Sequence, residues 1–160
     1  MKKLACIFIV TIVLSVGVFA QTADELFKQG LTNFDAKRYD QAAENFKAVI
    51  KLAPNDASSH FNLGLSQYLS AKYADAVASF DNTLARNADY AKAYLYKGLS
   101  LSKLLKNDEA LVALKKYLTY DNKSAAAYTE LGYIYEYKKQ DTEAVSAYKS
   151  ALSLNPNYAA

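Results

Sequence analysis

Leu26, Gly30 and Asn33 stand at i, i+4 and i+7, one stripe of a helix buried on one side. The pattern breaks at Lys37-Arg38-Tyr39, after which Asp40 is placed to accept from the free amides of a new helix. That second helix turns Ala43, Phe46, Val49 and Ile50 inward, and Pro54 followed by Asn55 stops it. The same succession of stripe and break predicts helices over 57–71 and 74–87, 91–105 and 108–121, and 125–139 and 142–155. Helices in this succession leave no room for strands, so the chain is expected to be all-α.

The stripes recur with a fixed period. After the first twenty residues the glycines are Gly30, Gly64, Gly98 and Gly132, each 34 residues from the next. Twelve residues after each comes Ala42, Ala76, Ala110 or Ala144, and four further on comes Phe46, Phe80, Leu114 or Tyr148. Pro54, Ala88, Asn122 and Pro156 close the frame, which divides 23–158 into repeats 23–56, 57–90, 91–124 and 125–158. Glycine inside a helix costs about 1 kcal/mol relative to alanine. Its return in every repeat therefore calls for a close approach of helices, with the small alanine as the expected facing residue.

These places resemble the tetratricopeptide repeat, whose signature runs W-x2-L-G-x2-Y, then A-x3-F, then P over 34 residues. Glycine and alanine match in all four repeats; the leucine place holds Leu63 and Leu131 but also Gln29 and Lys97. Leu26, His60, Tyr94 and Tyr128 fill the tryptophan place, and the first tyrosine place matches only at Tyr135. The resemblance implies a right-handed α-solenoid of helix-turn-helix units with about eight helices. It also implies a concave groove that takes peptides.

The first twenty residues differ from the rest. Met1-Lys2-Lys3 is positive, Leu4 to Ala20 is uncharged and almost wholly apolar, and Val18-Phe19-Ala20 ends on small residues before Gln21. Those are the three parts of a secretory signal of bacterial type, predicting a signal peptide over 1–20 and a periplasmic or secreted protein starting at Gln21. An uncleaved membrane anchor is the alternative, although 17 residues lie at the lower end of what crosses a bilayer. Two of the 19 basic residues, Lys2 and Lys3, fall in this leader, so the remainder balances the 16 acidic residues to within one charge. That balance offers nucleic acid no clustered positive surface. Cys6, the single cysteine, is lost with the leader, leaving neither a disulfide nor a thiol nucleophile.

Little else points to chemistry. His60 occupies a packing place and lacks the neighbours that zinc or catalysis requires. Asp24-Glu25, Asp108-Glu109 and Asp141 with Glu143 sit near helix starts, where the helix dipole accounts for them. No enzyme activity, metal or cofactor is expected. Lys37-Arg38, Lys72, Lys106 and Lys138-Lys139 fall in the turns and would line one edge of a stacked solenoid with positive charge.

The first helix of each repeat carries a second apolar stripe, one residue on from the glycine stripe. It reads Phe27, Leu31, Phe34; then Phe61, Leu65, Tyr68; then Leu95 and Leu99 with nearby Tyr96; then Tyr133 and Tyr137. These residues either pack on the neighbouring repeat or line the groove that the resemblance implies. Some tetratricopeptide proteins grip a C-terminal carboxylate with lysine and asparagine in that groove. Asn62 and Lys92 stand at matching places here, whereas repeat one holds Phe27 and Leu31. The groove so composed suits a protein or peptide partner, such as an amphipathic helix. The expected role is an exported interaction scaffold, in envelope assembly or secretion. The alternative is a self-assembling structural protein, forming a weak homodimer through a fourth repeat whose Ala144, Ala147, Tyr148 and Ala151 leave the last helix apolar.

Overall fold

The computed structural model describes residues 21–156, so the signal peptide expected over 1–20 and the end of the fourth repeat lie outside the described residues. Those residues form four pairs of helices: α1 (Ala23–Asp35) and α2 (Tyr39–Leu52), α3 (Ala57–Leu69) and α4 (Tyr73–Arg86), α5 (Ala91–Lys103) and α6 (Asn107–Leu118), α7 (Ala125–Tyr137) and α8 (Asp141–Leu154). No strand occurs among the described residues. Each helix packs on its predecessor and its successor, and α3 also touches α5 as α5 touches α7. Even-numbered helices make no mutual contact of that extent. The odd helices therefore crowd the inner side of an α-solenoid and the even ones splay along its outer side.

Local chemistry sets the helix ends. Thr22 and Glu25 form a reciprocal capping box at α1, Asp56 accepts from the amides of Ser58 and Ser59 at α3, and Ser124 accepts from Ala127 at α7. The even helices start without a side-chain cap. Asp40 was expected to cap α2 but lies inside its first turn. Its carboxylate accepts instead from Lys72 Nζ (2.9 Å) and Ser70 Oγ (3.0 Å) of the next repeat. The Lys72 ammonium, then the Ser70 hydroxyl, hold that carboxyl below its usual range. α3, α5 and α7 end two residues sooner than the pattern predicts because Ala71, Leu105 and Lys139 take left-handed backbone, as does Lys37. The following amide then folds back on the last turn: Lys72 N–H donates to Gln67 O at 2.8 Å and Lys106 N–H to Leu101 O at 2.9 Å.

The turn cations are only partly paired: Lys37, Arg38 and Lys139 meet no carboxylate among the described residues. Lys72 pairs with Asp40 and Lys138 with Asp108, in each case a carboxylate of the preceding repeat, while Lys106 approaches Glu109 at 3.7 Å. Exposed pairs of this kind add little stability. The Lys72 and Lys138 pairs tie neighbouring repeats together, while Lys37, Arg38 and Lys139 leave the edge positive.

Packing also revises the account of the glycines. A Cβ on Gly30 would stand 2.7 Å from Phe46 Cε1, on Gly64 2.8 Å from Phe80 Cε1, and on Gly98 2.7 Å from Leu114 Cγ. The large side chain sixteen residues on, and not the alanine, covers each glycine. Phe46, Phe80 and Leu114 are fully buried there. Ala42, Ala76 and Ala110 are buried too, in the same clusters as those side chains. His60 is buried in its packing place, with Nε2 3.0 Å from Pro54 O.

Candidate functional site

Because the odd helices line the inner side, their exposed positions are the candidates for recognition. The second apolar stripe divides sharply between packing and exposure. Phe61 is 6% exposed and joins the core: its ring lies 4.7 Å from that of Tyr90, 5.8 Å from Phe80 and 6.0 Å from Tyr96. As a groove residue Phe61 is thus a correction. The start of α5 covers it, since its N-cap Tyr90 and, further along the helix, Tyr96 of the next repeat lie over the same face of α3. Leu65, Tyr68 and Tyr96 are half-buried against this cluster, and the rings of Tyr68 and Tyr96 meet edge to face at 5.6 Å.

In repeat one, Phe27 packs edge-on against Phe46 at 5.5 Å and Phe34 against Tyr39 at 5.4 Å. Both rings spend most of their apolar surface inside the repeat. Asn62 is half-buried, and one N–H of its Nδ2 donates to Ser58 O of its own helix at 2.9 Å, leaving the second N–H and the side-chain oxygen for other use. Leu99 is half-buried, and Lys92 stands exposed in the first turn of α5.

Leu31, Tyr133 and Tyr137 remain open to solvent at 39%, 51% and 57% exposure. Leu31 and Tyr133 are register equivalents three repeats apart, with Leu65 and Leu99 between them. Two residues of this surface escape the stripe reading. Leu69 is exposed at 42%, two repeats before Tyr137 in the same register. Glu130 lies one repeat after Tyr96 and two after Asn62. The 34-residue register marks both, but a search confined to apolar stripes passes over a carboxylate.

Two phenols, one in the second repeat and one in the fourth, feel the Glu130 carboxylate. Burial, followed by the Glu130 charge, pushes the Tyr68 hydroxyl above its ordinary range. Burial pushes Tyr148 up to about 12, helped by the hydrogen bond its hydroxyl donates to Glu136 Oε2 at 2.8 Å. Both phenols are protonated donors at neutral pH. Among the described residues no group of three or more His, Cys, Asp or Glu is placed to hold a metal ion, and no helix is long and apolar enough to cross a membrane.

Family and structure comparisons agree with this geometry. Residues 24–70 match the model described as TPR repeat, and residues 125–158 match the one described as Tetratricopeptide repeat. Comparison with curated protein sequences gives no match. Similar solved structures include a crystal structure of MamA, 28% identical with a TM-score of 0.79, covering 86% of this chain and 80% of that one. A second crystal structure of MamA protein is 27% identical with a TM-score of 0.78, over 86% and 77% of the two chains. MamA 41-end from Desulfovibrio magneticus RS-1, 20% identical with a TM-score of 0.79 over 86% and 78%, shares the fold. With family matches spanning just over half of the residues, and glycine and alanine keeping their places through all four repeats, the chain belongs to the tetratricopeptide-repeat family and has the build of a protein-interaction scaffold.

Proposed function

We propose that this chain is an exported scaffold that binds a segment of a partner protein along its inner face, in envelope assembly or secretion. One observation carries the reading: Leu31, Leu69, Tyr133 and Tyr137 are large apolar side chains left exposed on the odd helices, the inner side of the solenoid. Tyrosine is well suited to such a surface, offering a wide apolar ring and a hydroxyl at low entropic cost. No constellation of the kind catalysis requires accompanies them. Export rests on the leader pattern of residues 1–20.

Partner capture from a periplasmic extract tests the proposal. Tyr133→Arg is expected to abolish capture without lowering the melting temperature, because an exposed arginine is tolerated where a buried one is not. Full capture by the variant would move recognition to another face. In the same preparation the intact mass should correspond to a chain starting at Gln21. A membrane-bound form that retains Cys6 would overturn export by cleavage.

Self-association through the fourth repeat is the second reading, with a changed surface. Ala144, Ala147 and Ala151 are buried within the repeat and Tyr148 is half-buried over Gly132, so none of them offers a free face. Val145 and Leu152 do, at 52% and 39% exposure. Their register equivalents Leu111 and Leu118 pack in a cluster with Leu131 of the following repeat. Light scattering across a concentration series should show a weak dimer that Val145→Glu removes; a strict monomer throughout sinks this reading.

A further inference from the structure

Behind its leader the chain is nearly neutral, yet its charge is unevenly spread. Repeat three, residues 91–124, holds seven lysines against three acidic residues, while each of the other repeats is negative by one charge. Two of those lysines line a recess of about 450 Å³ on the seam of α5 and α6, together with Tyr94, Glu109, Val112 and Ala113. None of the exposed residues of the inner side, Leu31, Leu69, Tyr133 and Tyr137, takes part in it.

The recess belongs to the fold, but its chemistry does not. One repeat on, a recess of about 430 Å³ includes Tyr128, Glu143 and Ala147, the register equivalents of Tyr94, Glu109 and Ala113. There Leu131, Ser146 and Ser150 stand where the third repeat has Lys97, Val112 and Lys116. The same three places hold Gln29, Glu44 and Ala48 in repeat one, and Leu63, Ala78 and Asn82 in repeat two. Only repeat three places cations there, beside a valine that is 71% exposed.

The two lysines are not equally free. Lys97 Nζ pairs with Asp81 Oδ1 of α4 at 2.6 Å, and Glu109, the carboxylate of the lining, lies 3.7 Å from Lys106 Nζ. Lys116 forms no ion pair among the described residues. Its Nζ stands over two rings instead, 5.0 Å from the centre of Tyr120 and 5.9 Å from that of Tyr94, and those rings stack at 6.0 Å. Tyr120 is itself tied to Asp89 Oδ1 at 3.1 Å. A lysine steadied by aromatic faces loses less rotamer freedom when it meets an anion.

We propose that this recess is a second docking site for an acidic segment of a partner protein, which inserts one large apolar residue between carboxylates. The apolar residue would cover Val112, Ala113 and the Tyr94 ring, and a flanking carboxylate would meet Lys116. The proposal is independent of the inner-face reading. Charge complementarity selects the partner: a positive repeat in a near-neutral chain favours a negative segment and repels a basic one. A recess of this size, within the roughly 300–1,000 Å³ of known binding pockets, takes a side chain. Single-stranded nucleic acid, the other acidic polymer, binds by stacking bases on aromatic rings, and here Tyr94 and Tyr120 stack on each other.

Titration of the isotopically labelled chain, followed by two-dimensional NMR, tests it. The probe is a five-residue peptide of glutamates around a central phenylalanine, blocked at both ends. It is expected to shift the resonances of residues 94, 112, 113, 116 and 120. A peptide with glutamines in place of the glutamates, and one with a central alanine, should each bind at least tenfold more weakly. Lys116→Gln should weaken the acidic peptide at least tenfold and Val112→Glu should abolish its binding, both variants melting with wild type because the two side chains are exposed. Lys139→Gln removes the same charge from a turn outside the recess and should leave the affinity unchanged. Equal binding of the glutamine peptide, or equal losses in Lys116→Gln and Lys139→Gln, overturns the site. An oligothymidylate that shifts the same resonances at lower concentration than the peptide overturns the choice of partner.

Discussion

Gly98→Leu is expected to destabilise the chain by about 3 kcal/mol, a large share of the roughly 5–15 kcal/mol a domain of this size possesses. Even the first carbon of the new side chain stands 2.7 Å from Leu114 Cγ, 2.9 Å from its Cδ2 and 3.3 Å from its backbone nitrogen. Leu114 cannot retreat. It is fully buried in a cluster with Leu101, Leu111, Leu131 and Ile134, so α5 and α6 must separate or Leu114 must leave its rotamer. Gly98→Ala isolates the effect. Alanine favours a helix by about 1 kcal/mol over glycine, so propensity alone predicts a stabler protein. Packing predicts the reverse. At Gly132 the new Cβ would stand 2.5 Å from the Tyr148 ring, which is tethered by its hydrogen bond to Glu136 Oε2, so Gly132→Ala should be destabilising as well. Urea denaturation of the three variants decides the matter, and a Gly98→Leu protein as stable as wild type would refute the packing account.

Phe61→Ala should cost about 3–5 kcal/mol, the range for a buried phenylalanine. Phe61 is the hinge of an aromatic cluster that joins two repeats: Phe80 and Tyr90 come from its own repeat, Tyr90 as the cap of α5, and Tyr96 from the next. Truncation opens a cavity between α3 and α5 and removes three ring contacts at once. In a solenoid, where each unit touches only its neighbours, such a loss uncouples the two halves of the chain. The expected signature is a fall in the urea midpoint with a shallower transition, as cooperativity between the first two and last two repeats weakens. A variant that keeps the wild-type midpoint and loses only partner capture would return Phe61 to the groove.

These two residues show how far the sequence could be read. The fold was legible because every repeat must bury the same face. A fixed register of Gly30, Gly64, Gly98 and Gly132 against Ala42, Ala76, Ala110 and Ala144 leaves few arrangements other than stacked helix pairs. Which large residue covers each glycine was not legible. The 12-residue step to alanine and the 16-residue step to Phe46 or Leu114 place both on the facing helix, and only the rotation of that helix selects one. The ends of the odd helices escaped for a local reason: Ala71, Leu105 and Lys139 take left-handed backbone without being glycine, which nothing in their side chains announces.

The candidate site was half legible. A helix with two apolar stripes must use one on its own repeat, and sequence alone determined that Phe61, Leu65 and Tyr68 share a face with Leu31 and Tyr133. It could not determine how much of that face the next repeat covers. Coverage depends on the size of the neighbour's side chains and on their rotamers, as Tyr90 and Tyr96 over Phe61 demonstrate. Glu130 illustrates the same limit for charge. A glutamate on a helix reads as a solvated residue until tertiary packing encloses one oxygen and withholds a donor. The repeat and its core follow from periodic hydrophobicity, which is a property of the chain. The free surface and its unpaired charge follow from how neighbouring repeats meet, and only the tertiary structure decides that.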